Sequence, residues 1–147
     1  MPLTAPSPTP AARDLPPLAA LLGAAGLPHA DLTPAHLAHF LVLREGERLV
    51  GAVGLELYGA DGLLRSLVVV PERRGEGLGG RLVEAAEAHA RARNTETLWL
   101  LTETAAPFFA ARGYAPADRA VSPEAIRATA EFAALCPDSA TCLVKRL

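Results

Sequence analysis

The sequence predicts an α/β fold in one domain, with a mixed, mostly antiparallel sheet and flanking helices. Three observations predict it. Short apolar runs separated by turn residues alternate with stretches of helical periodicity. A glycine-rich turn joins an apolar strand to an amphipathic helix, and a second apolar strand follows, which makes a strand–helix–strand unit. The 147 residues suffice for one full core but not for two.

Residues 1–12, rich in proline, read as a flexible arm with at most a short edge strand, and the domain proper spans 13–147. Asp14 is a candidate cap for a helix starting at Leu15, where Pro16 and Pro17 are tolerated in the first turn and Gly26 and Pro28 end it. A polar connector covers 29–34. His39–Arg44 and Arg48–Tyr58 read as strands around the turn Glu45-Gly46-Glu47, and Leu63–Val70 as a third strand after a turn at 59–62. Leu78, Leu82, Val83, Ala86 and Ala90 form one helical stripe, with Arg81, Glu84, Glu87 and Arg91 outside it. Thr97–Leu101 is the next strand, paired in parallel with the third. Thr104 is expected to cap a helix running to Arg112, stopped by Gly113; Ser122 is expected to cap a second one ending near Leu135; Ser139–Arg146 is the last strand.

Composition narrows the function. A net charge of -2 with Lys145 as the only lysine gives no basic face for nucleic acid, while arginine suits bidentate anion recognition. The apolar stretch 15–27 is broken by proline and glycine and is too short to span a membrane. Cys136 and Cys142 are too few for a disulfide framework, and the histidines fit no metal spacing, so no metal is expected. The composition suits a soluble cytoplasmic protein, and a monomer or homodimer is expected.

The chemistry concentrates in Arg73-Arg74-Gly75-Glu76-Gly77-Leu78-Gly79-Gly80. Backbone N–H groups at a helix N-terminus, flanked by guanidinium groups, form a phosphate or pyrophosphate site. A P-loop needs a lysine after its last glycine, and none is present. Gly75, Gly77 and Gly80 match the dinucleotide pattern, but Pro71–Arg74 separate the strand from the first glycine, and two nucleotide-binding halves do not fit the remaining chain.

The stretch from Leu67 to Gly79 resembles the acyl-CoA-binding motif of the GNAT N-acetyltransferases, with Arg74, Gly77 and Gly79 in register. Leu98–Leu101 followed by Ala106-Pro107-Phe108-Phe109…Gly113-Tyr114 resembles that family's second motif. The run from Leu98 is similar to the acetyltransferase domain of N-acetylglutamate synthases, and with Ala128–Pro137 to small GNAT proteins associated with arsenic resistance.

The resemblance implies a single GNAT domain with a splayed parallel strand pair, acetyl-CoA as co-substrate, and direct attack by the amine of a small amino-acid-like acceptor. It assigns the pantetheine arm to the backbone of Val68, Val69 and Val70, with an N–H near Val69 polarising the thioester carbonyl. It assigns the pyrophosphate to the N–H groups of Gly75, Glu76, Gly77, Leu78, Gly79 and Gly80, with charge from Arg73, Arg74 and Arg81. Thr104, Phe108, Phe109 and Arg112 then line the far side of the coenzyme. Glu56 and Glu103 are the candidate bases, and Arg65, Ser66 and Arg127 the candidate acceptor contacts. Phe109 stands where many members place a proton-donating tyrosine. A peptide N-terminal acetyltransferase and a CoA-binding sensor that has lost catalysis are the alternatives.

Overall fold

The computed structural model describes residues 6–147. Residues 1–5, part of the expected arm, lie outside the described residues. The strands are β1 (Thr9–Pro10), β2 (Phe40–Glu45), β3 (Arg48–Tyr58), β4 (Asp61–Val69), β5 (Thr97–Thr102), β6 (Ala115–Pro116) and β7 (Thr141–Arg146). Their order in the sheet is β1-β2-β3-β4-β5-β7-β6. The helices are α1 (Leu15–Ala24), α2 (Leu78–Arg91), α3 (Ala106–Ala110) and α4 (Glu124–Arg127). The chain divides into two compact units, one made of residues up to Gly54 with Ser66–Ala88, the other of Leu55–Arg65 with His89–Leu147.

In the first unit β1 pairs antiparallel with β2, and β2 with β3, around a turn where Gly46 takes a φ of 61°. Leu18 and Leu22 of α1 join Phe40, Val42, Ala52 and Val68 in one buried cluster. Asp14 does not cap α1, because its carboxylate is engaged by Arg44 of β2. The connector holds a 3-10 turn, Pro34–His39, whose entrance is closed by His36 Nδ1 accepting from the Thr33 N–H at 3.1 Å.

In the second unit β4 and β5 pair in parallel, Asp61–Leu63 against Thr97–Trp99, and β5 lies antiparallel to β7 along its whole length. Leu63, Trp99, Ile126 and Cys142 form its buried cluster. The Trp99 indole N–H reaches Asp61 at 3.3 Å. The stripe predicted on α2 is buried throughout, and Glu87, expected outside it, is buried as well.

Two helices depart from expectation. α3 begins at Ala106, and the hydroxyl facing its start is that of Thr102, which accepts from the Ala105 N–H at 3.0 Å; Thr104 makes no cap. The single helix expected from Ser122 to Leu135 is instead α4 and a separate π-helical turn, Glu131–Leu135. Pro123, not Ser122, occupies the N-cap position of α4, and Ser122 Oγ donates instead to the Arg119 carbonyl at 2.6 Å. Thr129 Oγ1 donates to the Ile126 carbonyl at 2.6 Å, a side-chain bond that competes with the helical ladder at the break.

Candidate active site

The glycine turn has the conformation its composition demands. After β4 the chain makes a 3-10 turn, Pro71–Arg73, and α2 opens at Leu78. Gly75 and Gly77 lie at φ 82° and 78°. A Cβ at either position would meet nothing within 4 Å, so the backbone rather than crowding requires glycine there. Arg74 donates Nε to the Val69 carbonyl at 3.2 Å, which folds it back along the turn. Arg73 behaves differently from expectation. It is held by Glu76 at 2.9 Å and by Glu45, so two carboxylates balance its charge. Arg74 and Arg81 have no carboxylate partner among the described residues. Val70 offers less than expected, because its N–H already donates to the Val50 carbonyl at 2.9 Å.

The second motif builds a small aromatic core. Phe109 is buried and packs edge-on to Phe108 and to Tyr114, with ring centroids 5.1 and 5.4 Å away. The Arg112 guanidinium lies 3.7 Å above the Phe108 ring and donates to the Phe108 carbonyl at 2.9 Å. Phe109 and Tyr114 are therefore packing residues, whereas Phe108 and Arg112 remain partly accessible and Thr104 is exposed. Gly113, at φ 93°, stops the helix as predicted.

Arg65 is enclosed rather than open to an acceptor. None of its side chain is exposed, and it donates Nη1 to Glu56 Oε2 at 2.7 Å and Nε to Glu131 Oε2 at 3.2 Å. The Tyr58 hydroxyl donates to the other oxygen of Glu56 at 2.6 Å. A guanidinium already held by two carboxylates is not open as a receptor for a third. Ser66, beside it, is buried at φ 60°, a left-handed conformation that costs a non-glycine residue energy. Glu103 is exposed beyond β5. Cys136 Sγ lies 3.8 Å from Glu131 Oε1, and burial, with Glu131 beside it, pushes its thiol up to about 11; burial raises Cys142 too.

Arg127 sits in a cavity of about 270 Å³ lined by Arg119, Ala120, Arg127 and Phe132. Its Nη1 donates to the carbonyls of Ala120 and Ser122 at 2.9 and 2.8 Å. Arg119 is anchored to the carbonyls of Pro137 and Phe132 at 2.9 and 3.2 Å, with Phe132's ring 5.7 Å from its guanidinium. Arg119 also faces the exposed Asp138 carboxylate at 3.9 Å, whereas the carbonyls that hold Arg127 fix it without cancelling its charge.

The acetyltransferase (GNAT) domain family matches residues 36–116, more than half of the chain. The chain belongs to the GNAT family. An amino-acid acetyltransferase of Pseudomonas fluorescens is 39% identical over 77 residues, which are 52% of this chain and 18% of that enzyme. N-acetylglutamate synthase from Neisseria gonorrhoeae, complexed with coenzyme A and L-arginine, is similar over 99% of this chain and 34% of its own, at 26% identity and a TM-score of 0.82. A Mycobacterium tuberculosis protein in complex with CoA shares the fold over 97% of this chain and 99% of its own, at 19% identity and a TM-score of 0.79. The chain thus spans well under half the length of the first two.

Within this GNAT domain, the sequence named the glycine turn, Arg74, Glu56 and Arg127 as candidates. It did not name Glu131 or Tyr58, which the fold puts against Arg65 and Glu56, or Arg119, which lines the cavity with Arg127. Glu131 lies far along the chain from Arg65, in a run read only for its family resemblance, and only folding brings the two together.

Proposed function

We propose that the chain transfers an acetyl group from acetyl-CoA to the amine of a small amino-acid-like acceptor by direct attack. The observation that carries this reading is the turn at Gly75 and Gly77. It presents the N-terminus of α2 with Arg74 and Arg81 beside it, in a domain of a family of acetyltransferases. In this reading the N–H groups of 75–80 hold the pyrophosphate of coenzyme A. The pantetheine arm follows Val68 and Val69, and an N–H near Val69 stabilises the oxyanion.

The amine loses its proton to Glu56, which is mostly enclosed and fixed through both oxygens; the exposed Glu103 is the weaker candidate. A thiolate with a pKa of about 8.5 leaves without a strong acid, so Phe109 at the tyrosine position does not block turnover. An acceptor carboxylate is assigned to Arg127, which only carbonyls hold, rather than to Arg65, which two carboxylates already bind. We place the reaction in the cytoplasm, where free cysteines persist. By resemblance, detoxification of arsenic or of toxic amino-acid analogues is its setting, tested by survival of an expressing sensitive strain.

Thiol release from acetyl-CoA across a panel of amino acids, peptides and polyamines tests the activity. Turnover with free amino acids is expected, and Glu56→Gln should lower kcat by about 10²- to 10⁴-fold. Saturable CoA binding without turnover on any amine would overturn the reading in favour of a sensor.

A further inference from the structure

We propose that Glu131 is a positioning residue for Glu56, acting through Arg65. The inference rests on the reading of Glu56 as the group that deprotonates the amine. Arg65 uses two different nitrogens, Nη1 for Glu56 and Nε for Glu131, so one rigid planar group fixes both carboxylates. Four per cent of the Glu131 side chain and 11% of the Glu56 side chain are exposed. With so little water present, neither can be replaced by solvent at low cost.

Both carboxylates bind the enclosed guanidinium. With Glu131 in place, Arg65 is shared, and Glu56 keeps an orientation set by Arg65 on one oxygen and Tyr58 on the other. Without the Glu131 charge, the pull on Arg65 shifts toward Glu56, which it then clamps more tightly. A carboxylate clamped in that way is a poorer proton acceptor and no longer points where its bond to Tyr58 aimed it. Glu131 lies in the π-helical turn, an irregularity of the kind often retained at functional sites. The Cys136 thiol, whose raised proton affinity keeps it neutral, lies 3.8 Å from Glu131 Oε1, while Arg65 Nε lies 3.2 Å from Oε2.

The test is a double-mutant cycle on kcat with acetyl-CoA and the best amine acceptor. Glu131→Gln should lower kcat by about 10- to 100-fold while the KM for acetyl-CoA moves less than about twofold. Glu131→Asp, which restores the charge, should recover most of the loss. In a Glu56→Gln background, Glu131→Gln should have no further effect, since both act on one group. Equal losses with Glu56 present or absent, or no recovery by aspartate, would show a merely structural residue and overturn the proposal. A Glu56→Gln variant with full activity overturns both the base assignment and this inference. If the wild-type chain acetylates no amine, the acetyl-transfer reading falls, and a crystal structure of Glu131→Gln decides the positioning role. Glu56 and Arg65 keeping their wild-type contact in that variant overturns it.

Discussion

Arg65 carries a full charge with none of its side chain exposed, and that single fact governs the residue scale. Such a cation is tolerable only because Glu56 and Glu131 bring opposite charge and well-placed oxygens to it. Its removal leaves two carboxylates in a site built for three charges. Arg65→Ala should therefore destabilise the fold by about 3–5 kcal/mol, measured as a shift of the urea midpoint. Arg127→Gln, by contrast, removes a charge that only carbonyls hold, so it should leave the urea midpoint within about 1 kcal/mol of wild type. It should also raise KM for a carboxylate-bearing acceptor more than for the matching amide. A KM that rises equally for both would dissociate Arg127 from the acceptor.

At the scale of elements, the glycines separate into two kinds. Gly77 is needed for its backbone, with open space around it. Gly77→Ala should cost about 1 kcal/mol of stability and weaken coenzyme A binding, as titration calorimetry would report. Gly54 is needed for space, because a Cβ there would run into the ring of Phe40, its partner across β2 and β3. Gly54→Ala should cost about 1–3 kcal/mol with no direct loss of coenzyme affinity. The strand–turn–helix around Gly77 was legible in the sequence because φ above zero selects glycine locally. The break between α4 and the π-helical turn was not, because alanines permit a continuous helix and the choice falls to Thr129 and to what Glu131 reaches.

At the scale of the whole molecule, the two thiols set a pH dependence of stability. Burial holds both in the neutral form; for Cys136 the folded value rises from 9.0 to about 11. Above pH 9 the unfolded chain releases thiol protons that the folded chain keeps, so the folded state binds more protons and stability falls as pH rises. The expected loss runs between about pH 9 and 11, read from denaturant midpoints across that range. Cys136→Ala should flatten it. An unchanged slope in that variant would place the effect on other groups. For the same reason both thiols should react slowly with iodoacetamide at pH 8 until the chain unfolds.

The sequence by itself determined the order of elements, the family resemblance and the coenzyme half of the candidate site. Those depend on patterns that adjacent residues carry: apolar periodicity, turn glycines, and arginines beside a helix start. Tertiary structure decided which charges are available. It matched Arg65 and Arg73 to carboxylates, left Arg127 bound only to carbonyls, put Asp138 beside Arg119, sank Phe109 into a core, and put Glu131 against Arg65. These outcomes depend on burial and on contacts between residues distant in the chain, and a charge has no fixed meaning until the fold has chosen its neighbours.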